Sequence, residues 1–350
     1  MPWCYCSMPD PTQNLARAWG GVAGTGRIRA SAEDFQVDED LGVEASGEGE
    51  HVLLRICKRN LNTAEVATHI AHLAGVRARD VSYAGLKDRV AVTTQTFSVH
   101  LPGKEAPDWR GLEGDNLQLL DAQRHHRKLR RGTLKGNRFT LIVREFSGDK
   151  DLLEARLQQV AEQGVPNYFG AQRFGREGRN LQHAKGLLAG EMRKVKRENR
   201  SIWLSAARSW LFNKVLSARV ESGSWNQMLE GDVMQIAGGR GQFMADLQDQ
   251  QILERLQQQQ LHVTGPLCGK PGRSLQPTAE AGELEHKLLQ GEQDWISGLQ
   301  RFGVDQDRRG LRVAVKDLQW QLEENILTLG FGLPSGSYAT AVMRELLDMS

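Results

Sequence analysis

Asn137-Arg138-Phe139-Thr140-Leu141-Ile142-Val143-Arg144-Glu145-Phe146 is dense in aromatic and β-branched residues and free of Gly and Pro, the composition of a strand. Three more β-prone runs lie upstream, over Gly26 to Val37, His51 to Ile56 and Thr94 to Leu101. Two others come near the far end, over Leu311 to Val315 and Leu322 to Leu329. Between the second and third runs the spacing predicts an amphipathic helix. Thr63 caps it, Glu65 stands in its first turn, Val66, Ala67, Ile70 and Leu73 share one face, and Gly75 follows its end.

The middle of the chain has another texture. Asp151 to Gln163, Leu204 to Val220 and Ile252 to Leu261 read as helices, and Thr264 to Pro277 as a Gly/Pro-rich stretch without regular structure. A last helix runs over Ala339 to Asp348. The order β-rich, helical, β-rich implies an α+β fold: a discontinuous domain, residues 1–162 plus 309–350, around a mainly helical insertion at 163–308. Two consecutive domains are the alternative.

The 350 residues are 39% hydrophobic and 25% charged, with a net charge of only +2, so composition describes a soluble globular protein with ample core material. Charge is segregated, however. From Ala30 through Leu54 there is no Lys or Arg beside eight acids, whereas from Ala122 through Arg144 eight cations stand without an acid. Such blocks point to an anionic partner at one face. Four cysteines, with Cys4-Tyr5-Cys6 lacking the spacer of a zinc knuckle, suit a reduced compartment. No apolar run reaches the ~20 residues of a membrane span, and Met1 to Gln13 reads as a tail, not a signal peptide. The expected location is the cytoplasm. His69 and His72 share a helix but lack acidic partners, so no metal site is expected there.

Chemistry concentrates in Tyr83-Ala84-Gly85-Leu86-Lys87-Asp88-Arg89, where one carboxylate follows a glycine turn between two cations that favour its charged form. A bare Lys-Asp-Arg is also an ordinary solvated turn. The strongest electrostatic feature is the stretch Arg124 to Arg138, with Arg124, Arg127, Lys128, Arg130, Arg131 and Lys135; such cations repel one another unless a polyanion releases their counterions. A second cluster, Arg193-Lys194-Val195-Lys196-Arg197 with Arg200, precedes the Leu204 helix. Tyr168, Phe169 and Phe174 lie among arginines; packing is the expected role of the last two, base stacking the alternative. There is no P-loop, nucleophile elbow, metal-binding helix motif or zinc deaminase signature, and Gly238-Gly239-Arg240-Gly241 reads as a turn. Glu33 and Asp34 are adjacent and so face opposite ways on a strand, which disfavours an acid/base pair. Chemistry without metal or cofactor is expected.

Gly85-Leu86-Lys87-Asp88-Arg89 with Ala91-Val92-Thr93-Thr94-Gln95, Leu134 to Phe139, Asn167 to Gly175 and Leu333-Pro334-Ser335-Gly336-Ser337-Tyr338-Ala339-Thr340 together resemble the tRNA pseudouridine synthase D (TruD) family. The similarity runs from about Gly24 to Leu347 and includes Ala32-Glu33-Asp34-Phe35 and Leu204-Ser205-Ala206-Ala207-Arg208. The resemblance implies a pseudouridine synthase-type catalytic domain with a central mixed or antiparallel sheet, interrupted by the family's insertion domain. It implies isomerisation of uridine to pseudouridine in tRNA, at uridine-13, by a monomeric enzyme without cofactor. By motif position Asp88 is the catalytic aspartate. Phe35 and Tyr338 contact the target base, Asn137 holds the active-site region or substrate, and Arg29 and Lys87 complete the substrate-binding set. Tyr338 stands where relatives often have Phe, which keeps the ring. Arg29 stands where they often have Lys, which keeps the charge but not a compact ammonium.

Overall fold

The computed structural model describes residues 10–130, 132–192, 194–239 and 241–349. Cys4, Cys6, Arg131, Arg193 and Arg240 lie outside the described residues. Along the chain come β1 (Gly24–Arg27), β2 (Phe35–Asp40), β3 (His51–Arg59), α1 (Thr63–Leu73), β4 (Val81–Tyr83), β5 (Val92–His100), β6 (Leu117–His125), β7 (Gly136–Gly148) and α2 (Lys150–Gln163). Next are β8 (Val165–Pro166), α3 (Ala171–Phe174), α4 (Arg179–Leu188), α5 (Arg197–Glu221), β9 (Val233–Ile236), β10 (Gln242–Met244), α6 (Gln250–Gln257) and β11 (Leu261–Leu267). The remainder is α7 (Ala279–Leu289), α8 (Gln293–Arg301), β12 (Asp307–Gly310), β13 (Arg312–Val313), β14 (Lys316–Glu323), β15 (Ile326–Pro334), α9 (Ala339–Leu346) and β16 (Asp348–Met349). The fold is α+β, and the chain divides into two compact units.

One unit comprises residues 23–153, 315–336 and 347–350. It is built on a mixed sheet in the order β14-β15-β7-β2-β5-β3-β6, with β1 on β7 and β16, and β4 on β5. β7, the run quoted at the outset, is its spine. It pairs antiparallel with β15 from Leu327↔Val143 to Pro334↔Gly136, and on its other edge with β2 from Phe35↔Leu141 to Asp40↔Gly136. Leu141, Val143, Leu327, Leu329 and Phe331 are all fully buried, so the alternation in β15 records one face against the core. The Phe139 ring stacks on Phe331 at 5.5 Å and meets Phe35 edge-on at 6.2 Å. β2 and β5 pair in parallel, which is what makes the sheet mixed. α1 lays Val66, Ile70 and Ala71 on Leu54, Ile56, Phe97 and Val99 of β3 and β5.

The sequence reading of this unit needs four corrections. The Gly26 to Val37 run is two strands, separated by a 3₁₀ turn over Ala32–Asp34 that Ser31 and Asp34 close reciprocally. Asp34 is fully buried and takes three hydrogen bonds from Arg144, two from Nε and one from Nη2. Burial pushes its pKa up, but Arg144 and backbone N–H groups outweigh that and hold it below the ordinary carboxylate range, so Asp34 is structural. The cap of α1 is Asn62, paired with Glu65 in a capping box, and Thr63 is the first helical residue. β6 had no sequence signal because it is an edge strand, exposed over most of its length.

The fourth correction concerns charge. The acidic and basic blocks look segregated in sequence, but β2 pairs with β7 and interleaves them. Asp38 faces Arg138 across the ladder, Lys135 lies 3.7 Å from Asp40, Arg144 binds Asp34, and Arg59 of β3 binds Glu33 at 2.6 Å. Several of those cations therefore neutralise the protein's own acids.

The other unit comprises, of the described residues, those within 10–22, 154–314 and 337–346. Its centre is the 25-residue α5, packed with Tyr168, Phe174, Leu181, Val263 and Leu311. It also contains a four-stranded sheet, β10-β9-β11-β12, so the middle of the chain is less purely helical than its sequence suggests. Thr264 to Leu267, read above as irregular, belongs to β11. The glycine there reflects packing: a Cβ on Gly265 would stand 2.7 Å from Leu311 and 3.2 Å from the Phe212 ring. The helix read as Ile252 to Leu261 stops at Gln257, and α5 begins at Arg197, a full turn or more before Leu204. Within the core Arg219 binds Asp232 with both partners buried, and Arg308 binds Glu285. Among the described residues no helix is long and apolar enough to cross a membrane.

Candidate active site

Asp88 stands in the irregular loop between β4 and β5, at residues 84–91. Its side chain is about a third exposed, 30%, and Oδ2 accepts a hydrogen bond from Arg29 Nη2 at 2.8 Å. Arg29 is held at φ 59, a left-handed backbone that a branched-at-no-carbon side chain tolerates only at a cost of about 1 kcal/mol. From there its guanidinium sits 4.2 Å over the Phe35 ring. Phe35 is itself buried, between Arg29 and the edge of Phe139. The carboxylate therefore faces a guanidinium that sits over an aromatic ring. Such a partly exposed ion pair contributes no more than about 1 kcal/mol to stability.

The cations beside Asp88 in sequence behave differently from each other. Arg89 is exposed, whereas Lys87 turns inward. Lys87 Nζ donates to Asn137 Oδ1 at 2.5 Å and lies 3.5 Å from Glu39 Oε1. Glu39 Oε2 in turn accepts from the Thr96 N–H at 2.8 Å. Burial pushes the Glu39 carboxyl up and the Lys87 ammonium down; the mutual attraction of the two opposes both shifts without cancelling them. Asn137 thus spends its carbonyl oxygen on Lys87. Arg29, Phe35, Lys87, Asp88 and Asn137, scattered over more than a hundred positions, are gathered in this one unit.

Buried polar groups beneath the loop escaped the sequence reading: Lys58 and Glu39 were not singled out, and Thr63 was read only as a helix cap, not as a partner of the loop. Lys58 reads as an ordinary strand-end lysine, and only the tertiary contacts reveal that it is fully buried. No linear signal separates it from its neighbour Arg59, which is exposed.

The basic stretch divides as well. Arg124 spends its guanidinium on the carbonyls of Gly49, Leu101 and Lys104, which makes it a structural clasp. Arg127, Lys128 and Arg130 are exposed, and Lys135 is exposed beside Asp40.

Tyr338 belongs to the second unit. There its hydroxyl accepts a hydrogen bond from Arg173 Nη2 at 2.6 Å, and its ring lies 6.2 Å from Phe169. The Phe169 ring carries Arg309 at 4.2 Å and Arg173 at 5.2 Å, and the Asn213 amide brackets the Phe169 main chain with two hydrogen bonds. Tyr168, Phe169 and Phe174 are all buried, so the packing role expected of Phe169 and Phe174 is the one they have, and Tyr168 shares it. Lys194, Lys196, Arg197 and Arg200 are exposed. Among the described residues no group of three or more His, Cys, Asp or Glu is placed to hold a metal ion.

The family model for tRNA pseudouridine synthase D (TruD) matches residues 19–194 and 179–346. The chain belongs to that family. It is 49% identical to a tRNA pseudouridine synthase D of Methylococcus capsulatus, covering 96% of this chain and 94% of the relative. It is 45% identical to one of Hydrogenovibrio crunogenus, covering 98% and 99%. A crystal structure from Methanosarcina mazei, put forward as a TruD, superposes with a TM-score of 0.74 over 95% of each chain at 21% identity, and so shares the fold.

Proposed function

We propose that the protein isomerises uridine to pseudouridine in tRNA, at uridine-13, with Asp88 as the catalytic carboxylate. The observation that carries the reading is a partly exposed Asp88 paired to Arg29 at 2.8 Å, on a loop bound by buried polar side chains, in a chain of this family. A stacked base hides its glycosidic bond, so the nucleotide must leave the stack at a cost of a few kcal/mol. Arg127, Lys128, Arg130, Arg131 and Lys135 grip phosphates, and the released counterions help to offset that cost. Asp88 then acts as an anion, by covalent attack on the sugar or ring or by drawing a proton from the ribose, with Arg29 as counter-charge. The detached uracil turns over before the carbon–carbon bond forms, and the rings of Phe35 and Tyr338 with Asn137 keep it in place. Residues 1–162 with 309–350 serve as the catalytic domain and 163–308 as the insertion domain. The enzyme acts as a cytoplasmic monomer and needs no cofactor.

Mapping of pseudouridine in tRNA from cells lacking the protein tests this directly. The expected result is uridine at position 13, restored to pseudouridine by purified protein alone; an unchanged pattern sinks the proposal. The phosphate grip is tested separately by replacing Arg127, Lys128 and Arg130 together with Ala. The slope of log affinity for tRNA against log salt is expected to become shallower by roughly 2, at about 0.7–0.9 per phosphate lost. An unaltered slope would move the backbone contacts elsewhere.

A further inference from the structure

The loop that carries Asp88 has no ladder of its own, so several of its main-chain groups find partners in side chains. Three elements supply them. Gln95 Nε2 of β5 donates to the Gly85 carbonyl at 2.5 Å, Thr63 Oγ1 at the head of α1 accepts the Lys87 N–H at 3.1 Å, and Lys58 Nζ near the end of β3 donates to the Asp88 carbonyl at 2.9 Å. Thr63 also donates to Gln95 Oε1 at 3.1 Å, which ties two of the supports together.

Lys58 is the exceptional member. It is fully buried, and its second hydrogen bond, like the first, goes to a neutral carbonyl, that of Leu61 at 2.7 Å. Burying a cation against neutral carbonyls is costly, and a neutral donor could satisfy the same two oxygens more cheaply. A charge kept at that cost implies a use for the charge. The nearest use is Asp88, whose own main chain the ammonium holds.

We propose that Lys58 is a positioning residue for catalysis, pinning the Asp88 main chain and setting a fixed positive charge behind the carboxylate. The inference rests on the catalytic role proposed for Asp88. The charge-assisted bond is roughly twice as strong as a neutral one and acts on the residue itself, so it removes freedom that would otherwise spread the carboxylate over several poses. The groups facing Lys58 define when the charge is present. Burial pushes its pKa down to about 8, Asp88 opposes the fall, Lys87 of the same loop adds to it, and Cys57 of β3 and Glu65 of α1 oppose it. The ammonium is thus present at pH 7 and is lost as pH rises through about 8.

The test is single-turnover conversion of a tRNA transcript with enzyme in excess. For K58M the rate is expected to fall about 10²-fold, the size of a misplaced catalytic group, with tRNA affinity within about threefold of wild type. The wild-type rate is expected to drop about tenfold from pH 7.5 to pH 9, while K58M keeps a flat profile over that range. A folded K58M enzyme with the wild-type rate, or one whose whole loss lies in tRNA affinity, overturns the proposal. Should K58M not fold, the wild-type profile decides: a fall above pH 8 supports the assignment, and a constant rate overturns it. Because wild-type turnover is the reference, failure here is distinct from failure of the proposed reaction, which would leave wild type inactive.

Discussion

Asp88→Asn is expected to abolish pseudouridine formation, with a loss on the order of 10³-fold or more in single-turnover rate, while tRNA affinity stays within a few-fold of wild type. The asymmetry follows from geometry. Asp88 is one partly exposed carboxylate, and the exposed cations proposed to hold phosphates are elsewhere on the chain, so removing one charge barely alters binding. Asn fills the same volume and still accepts a hydrogen bond from Arg29, so the fold should survive. What it lacks is an anionic oxygen to attack with or to take a proton. Rate measurements on D88N and wild type under saturating enzyme, beside direct tRNA titration, check the outcome. A D88N enzyme that still converts uridine removes Asp88 from the mechanism.

Lys87→Met is expected to produce the largest loss of stability, about 3–5 kcal/mol, because it strands a buried carboxylate. Glu39 is 1% exposed at the side chain and Lys87 7%, and the amide of Asn137 completes the cluster. Without the ammonium, only the Thr96 N–H opposes the effect of burial on Glu39, whose carboxyl is already held above its ordinary value of 4.5. A group whose folded pKa is raised stabilises the fold below its unfolded pKa and loses that contribution as pH rises through the folded one. Urea unfolding of K87M should therefore show the deficit growing from acidic toward neutral pH, and it should be smallest below the ordinary value of 4.5. A deficit independent of pH would mean that Glu39 is not the group left exposed to the cost. Since Lys87 and Asp88 are consecutive, the same variant is also expected to lower the catalytic rate by loosening the loop.

How much of this was legible beforehand depends on the range of the interaction. The strand over Phe139 to Val143 announces itself because each of its residues prefers a pleated, half-buried surface, whatever it pairs with. α1 was legible because its apolar face and its Glu65 box are local, although the box closes on Asn62 and not on Thr63. β6 and the end of β11 were not legible. One is an exposed edge without alternation, and the other carries a glycine and a proline whose reasons lie in Phe212 and Leu311 and in strand pairing far along the chain. At the site, the motif around Asp88 was readable, but its carboxylate pairs with Arg29, nearly sixty positions away, while the adjacent Lys87 faces Glu39.

From sequence alone came the succession of β-rich, helical and β-rich segments, the family, and the carboxylate on which the chemistry is proposed to turn. These are written in local composition and in short motifs, where neighbouring residues constrain one another through the backbone. Tertiary structure alone decided which charges cancel and which remain exposed. Pairing β2 against β7 brings acids from one block beside cations of another, so that the apparent segregation dissolves in part, while Arg127, Lys128 and Arg130 stay exposed. It also decided that Lys58, one unremarkable lysine among many, lies buried beneath Asp88, because burial is a property of what the rest of the chain places around a residue.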